Sequence, residues 1–132
     1  MYFLNKLNES ADSFNLLQPT SPLRTKKNIL SFHNFIEKNG FKSVVSISKL
    51  HNFSSNRYKL LKDFSIKEIS KKYHSKKNDL FYLNGSMYYN DINSFLRYKK
   101  FIFRYTKGFK MSKKNSIDID TNKDLDIAIK NI

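Results

Sequence analysis

Apolar residues recur along this 132-residue chain in two rhythms, one helical and one extended. From Thr25, Ile29, Phe32, His33 and Ile36 fall at i, i+3, i+4 and i+7, the spacing of one helix face. This predicts a helix over 26–38, stopped by Gly40 as a left-handed cap. His33 lies on the apolar stripe and is expected to pack there without chemistry. Compact apolar runs at 14–18 and at Ser43–Ser48, the latter rich in Val and Ile, read as buried strands.

The remaining pattern is less even. Residues 3–9 read as helical, and 51–80, dense in Lys, Ser and Asn, hold short strands near Arg57–Leu61 and Phe64–Ile66. An Asn84-Gly85 turn precedes a strand over Ser86–Tyr89, then a short helix over Asp91–Tyr98 and a strand over Phe101–Tyr105. A last helix starts at Thr121, with Asp124 completing a capping-box pair, and is expected to bury Leu125, Ala128, Ile129 and Ile132. Strand–helix alternation with apolar strands predicts an α/β fold: a mainly parallel sheet with helices on both faces. Ligands of such sheets sit beyond the carboxyl ends of the strands, and Gln18 to Arg24 leaves one such end.

Composition narrows the class. Hydrophobic residues make up 39% and aromatics 15%, enough for one domain over 1–132 with a packed core. The absence of cysteine excludes disulfides, thiolate metal sites and a thiol nucleophile. No apolar run reaches the ~20 residues of a membrane-spanning helix, and Tyr2–Leu4 is too short for a signal-peptide core, so a cytoplasmic location is expected. The formal charge of +14 invites a nucleic-acid reading, but the 25 basic residues are 21 Lys and four Arg (Arg24, Arg57, Arg97, Arg104). Base reading relies on arginine forks, and no helix gathers the charge. Attraction of small anions is the preferred reading.

Candidate chemistry concentrates in Ser116-Ile-Asp-Ile-Asp-Thr121. On an extended backbone, residues two apart face one side about 6.5 Å from each other. Asp118 and Asp120 can therefore meet one cation while Ile117 and Ile119 turn inward. Two carboxylates with phosphate oxygens and water suit Mg²⁺. The alternative is a pair of acids at the start of the last helix, favoured by its dipole.

That segment, with Leu16-Leu-Gln-Pro-Thr-Ser-Pro-Leu-Arg24, Ser43-Val-Val-Ser-Ile-Ser48, Asn84-Gly-Ser-Met-Tyr88 and Met111 in this order, resembles the cytidylyltransferases that activate sialic acid and related nine-carbon acidic sugars. The resemblance runs from about Ala11 to Ile132. It implies a Rossmann-like nucleotide-diphospho-sugar transferase fold, with Mg²⁺ held by Asp118 and Asp120. It also implies CTP and an acidic nine-carbon sugar as substrates and a homodimer as the assembly. Gln18 matches a position that contacts the sugar through its amide, whereas Thr20, Ser21 and Arg24 are expected to hold the Pro-Thr-Ser-Pro turn. Asn84, Tyr88, Phe101 and Ile102 match the stretch lining the sugar pocket and the neighbouring subunit's share of it. Lys59 falls near a lysine that meets substrate anions. Where the family carries an arginine important for activity this chain has His74, so Lys71 or Lys76 would have to substitute.

The family's glycine-containing phosphate loop has no counterpart among Gly40, Gly85 and Gly108, the only glycines. The chain is therefore expected to be the C-terminal portion of such an enzyme, without the region that binds most of the nucleotide. Removing a neighbouring strand would leave the Gln18 strand as an edge and make the chain prone to associate. Two functional readings follow: a truncated copy forming a CMP-activated sugar, or a non-catalytic sugar-binding or dimerisation module.

Overall fold

A computed structural model describes residues 11–50, 56–70 and 80–132. The expected helix at 3–9 and the candidates Lys71, His74 and Lys76 lie outside the described residues. The elements run β1 (Ser13–Leu17), α1 (Lys26–Asn39), β2 (Ser43–Lys49), β3 (Arg57–Leu60), β4 (Ile66–Ile69), β5 (Leu80–Asp91), α2 (Ile92–Tyr98), β6 (Lys107–Lys110), a 3₁₀ turn (Lys114–Ser116) and α3 (Asn122–Ile129).

The mainly parallel sheet is not what forms. The strands make one six-stranded sheet in the order β4-β3-β5-β2-β6, with β1 also on β5. Among the described residues only β2 and β6 run parallel; β1 with β5, β2 with β5, β3 with β4 and β3 with β5 are antiparallel. The reason is β5, one 12-residue strand rather than a turn followed by a short strand. Its length lets one edge pair with β2 from Phe81 to Asn90, while its other edge serves β3 at one end and β1 at the other.

Asn84 and Gly85 lie inside this strand. There the register with β2 jumps, since Val45 pairs with Tyr88 but Ile47 pairs with Leu83. Gly85 absorbs the bulge at φ 74°, a left-handed conformation that only glycine adopts without strain.

The far edges of the sheet curl toward each other. Gly108 N–H donates to Phe64 O at 2.8 Å, and Ser65 bridges Lys107. This closure depends on Gly108, where a Cβ would lie 2.6–2.9 Å from Ile47, Ile66 and Leu60 side-chain atoms. Val45, Ile47 and Phe81 form the core inside the curl, with Leu60, Ile66, Leu83, Tyr88 and Ile102 packed against them. Among the described residues that face is filled by strand and loop side chains, whereas helices on both faces were expected. α1 covers the opposite face, where Phe32 and Ile36 meet Val44, Met87 and Met111.

Helix ends follow the sequence signals. Thr25 and Asn28 form a capping box on α1, and Gly40 closes it at φ 61°. His33 is half-buried, edge-on to Phe32. Asp91 caps α2, and Thr121 with Asp124 caps α3.

Three local expectations shift. β4 begins at Ile66 because Phe64 adopts φ 65° in the turn from Leu61 to Ser65. Phe101–Tyr105 is not a strand: Lys99 turns left-handed after α2, and the Phe103–Thr106 turn re-aims the chain into β6. α3 buries only Ala128, leaving Leu125, Ile129 and Ile132 at 42%, 59% and 93% exposure. No helix among the described residues is long and apolar enough to cross a membrane.

Candidate functional site

Three segments far apart in sequence converge on the β5 bulge. β1 ends at Leu17, and the turn that follows is held down by Arg24. The Arg24 guanidinium donates to Gln18 O at 3.1 Å, Ser86 O at 2.8 Å and Ser86 Oγ at 3.3 Å. Burial pulls the Arg24 pKa below its ordinary value. The expected turn-holding role of Arg24 is visible in these bonds, which fasten the Gln18 turn to the bulged strand. Ser21 is buried within this turn, and its Oγ has no hydrogen-bond partner among the described residues.

The acidic segment lies against the same turn, with Ile119 N–H donating to Thr20 O at 2.9 Å. Gly85 shows how close the side chains come. A Cβ built there would lie 2.5 Å from Gln18 Oε1 and 3.1 Å from Asp118 Oδ2. The amide of Gln18 and the carboxylate of Asp118 therefore share a cradle that exists only because residue 85 lacks a side chain.

Asp118 is half-buried, and its Oδ1 is buried with no hydrogen-bond partner among the described residues. A carboxylate oxygen withdrawn from water without a donor is costly. A cation would relieve that cost. Asp120, two residues on, is exposed. Among the described residues no three His, Asp or Glu side chains cluster to cage a metal. A cation held there would have to complete its shell with phosphate oxygens and water, as Mg²⁺ does.

Tyr88 follows Gly85 on β5. Burial raises its phenol pKa, and the charge of Asp118 adds to the rise, so at neutral pH the hydroxyl is a neutral donor. The Phe101 ring packs 5.6 Å from that of Tyr88 and remains 37% exposed. Ile102 packs against the core inside the curl. Lys59 is exposed on β3, opposite Lys67 of β4, and no hydrogen bond or ion pair ties it to the cradle.

Asn84 is held from inside the bulge. It is 2% exposed, its amide nitrogen donates to Ser48 Oγ at 2.9 Å, and its Oδ1 accepts from Ser46 Oγ at 2.5 Å and Ser86 N–H at 3.1 Å. Ser48 in turn donates to Ser116 Oγ at 2.8 Å. Ser46, Ser48, Gly85 and Ser116 were not singled out from the sequence. The signal was present in Ser43-Val-Val-Ser-Ile-Ser48, where Ser46 and Ser48, two residues apart on a strand, place their hydroxyls on one face. A separate cavity of about 370 Å³ lies among Phe41, Lys42, Tyr98, Phe103, Tyr105 and Lys107, and contains none of the cradle residues.

No protein-family model matches the chain. It is similar to the N-acylneuraminate cytidylyltransferase of Escherichia coli O18:K1:H7 (strain RS218 / NMEC), at 32% identity over 125 residues and 89% of this chain. It is similar also to that of Streptococcus agalactiae serotype V (strain ATCC BAA-611 / 2603 V/R), at 30% identity over 121 residues and 88% of this chain. The chain spans 29% of the length of each of these relatives.

Proposed function

From this chain's homology to the N-acylneuraminate cytidylyltransferases, we propose that it is a portion of a nucleotidyltransferase that forms a CMP-activated nine-carbon sugar acid from CTP, releasing pyrophosphate. The observation carrying the proposal is the cradle at Gly85. There a sugar-type amide (Gln18) and a half-buried carboxylate (Asp118) meet from opposite ends of the sequence.

The residues divide the work. Gln18 both donates and accepts, which suits sugar hydroxyls, and Arg24 fixes its backbone through Ser86. The neutral Tyr88 hydroxyl offers a donor beside Asp118, with Phe101 packed against its ring. Asp118 and Asp120 would hold Mg²⁺, which offsets phosphate charge as the sugar hydroxyl attacks the α-phosphate. Asn84 shapes the bulge from inside, and Lys59 adds to the positive potential that attracts both anionic substrates. Assembly as a homodimer belongs to the same reading, with the partly exposed Phe101 ring offered to the neighbouring subunit.

The test is pyrophosphate release from CTP and an N-acylneuraminate, with the rest of a relative's sequence supplied as a second chain. The expected result is turnover that Asp118→Asn abolishes. Sugar binding without turnover would identify a sugar-binding module instead. Neither binding nor turnover would overturn the reading.

A further inference from the structure

We propose that Ser48 and Ser116 are positioning residues that set the place of the Asp118 carboxylate. The proposal rests on the cation reading above for its consequence, but on separate observations for its mechanism.

Asp118 needs an external support. Its Oδ1 has no hydrogen-bond partner among the described residues, so no bond to that oxygen fixes its direction. What fixes it is the backbone on either side. After it, Ile119 N–H is tied to Thr20 O. Before it, Ser116 is 1% exposed and anchored from within the sheet.

That anchor is a chain of buried donors running one way. Met87 N–H donates to Ser46 Oγ at 2.8 Å, and Ser46 Oγ donates to Asn84 Oδ1. Asn84 Nδ2 donates to Ser48 Oγ, and Ser48 Oγ donates to Ser116 Oγ at 2.8 Å. Ser116 Oγ passes its proton toward Ser112 O at 2.8 Å and Lys113 O at 3.2 Å. Every member is at most 2% exposed. In such surroundings water cannot replace a lost partner, and each deletion strands the groups on both sides.

The chain joins the β5 bulge to the turn that delivers Asp118. The bulge places Gly85, and the turn places the carboxylate that lies against it. Ser48 links the two halves by hydrogen bonds, accepting from Asn84 and donating to Ser116. Loss of its hydroxyl should free the 112–116 turn while leaving β2 and β5 paired. Groups that orient metal-binding carboxylates typically change affinity by 10–100-fold when removed.

The experiment uses the full chain with Ser48→Ala, Ser116→Ala, the double variant, Asp118→Asn and Asp91→Ala. The last removes the α2 cap far from the site and reports general destabilisation. Two quantities are read: hydrogen-exchange protection of the Ile119 amide, and affinity for Mn²⁺ by electron paramagnetic resonance. Ser48→Ala and Ser116→Ala should each lose Ile119 protection and weaken Mn²⁺ binding about tenfold, with the double variant no worse than either single one. Asp91→Ala should lower the melting temperature and leave both readouts in place.

Unchanged Ile119 protection in both serine variants would overturn the proposal, as would an equal loss in Asp91→Ala. If Ser48→Ala fails to fold, Ser116→Ala alone decides. Undiminished Mn²⁺ binding by Asp118→Asn would instead overturn the cation reading, while the Ile119 amide still decides the positioning.

Discussion

β2 presents two different surfaces from one stretch of seven residues. Val45 and Ile47 point into the curl of the sheet, where Gly108, Leu60 and Ile66 close around them. Ser46 and Ser48 point to the other side, where they meet Asn84 and Ser116. Both surfaces are equally dry, with all four side chains at most 1% exposed. The aliphatic side is held by area removed from water, which is indifferent to direction. The hydroxyl side, which Val44 shares by packing into the α1 core, adds bonds with fixed directions. Directional placement is thus confined to the hydroxyl face, and its bonds reach the β5 bulge over which Gln18 and Asp118 meet.

Substitutions on the two sides should separate these contributions. Ile47→Ala removes a fully buried side chain packed against Gly108 and is expected to cost about 2–5 kcal/mol. Denaturant melts should show that loss, while sugar-acid affinity measured well below the transition stays within twofold. A large fall in affinity would mean the two faces are not separable.

Gly85→Ala should do the reverse. A left-handed alanine costs roughly 1–2 kcal/mol, a smaller loss than at Ile47. The added methyl would lie 2.5 Å from Gln18 Oε1 and must push that amide out of the cradle. Calorimetry is expected to show sugar-acid affinity reduced at least tenfold.

The smallest expected effect lies at the curl's rim. Lys107 Nζ bonds Asp63 at 3.0 Å, and the Asp63 carboxyl is held down to about 2, first by the Ser65 hydroxyl and then by Lys107. A carboxylate whose folded pKa lies below its ordinary 3.8 contributes fully above that value and loses the contribution as pH falls toward 2. Asp63 is exposed, so screening keeps the effect small. Asp63→Asn should flatten the acid side of the stability profile between pH 4 and 2 and leave ligand affinity untouched.

The sequence made some of this legible and hid the rest for definite reasons. Helix signals are local, so α1 with its Thr25 cap and Gly40 stop, and α3 with its Thr121–Asp124 box, were readable from neighbouring residues. Strand direction is not local. Apolar runs look alike in parallel and antiparallel sheets, and only the continuity of β5 through Asn84-Gly85 reveals which sheet forms. A glycine usually read as a turn was instead a bulge within a strand. The apolar stripe of α3 read as core because periodicity reports a face without saying what covers it. For the cradle, Gln18 and Asp118 were legible as a motif resemblance. Their meeting over Gly85, and the serines beneath them, needed the fold.

The central claim is that the Gln18–Asp118 cradle receives the acidic sugar. Titration of the ¹⁵N-labelled chain with an N-acylneuraminate, with and without Mg²⁺, tests it most directly. The account predicts amide shifts confined to Gln18, Gly85, Tyr88 and Ile119 and their neighbours, enlarged by Mg²⁺ and lost in Asp118→Asn. Shifts centred on the cavity of Phe41, Tyr98 and Phe103, or none at saturating ligand, would contradict it.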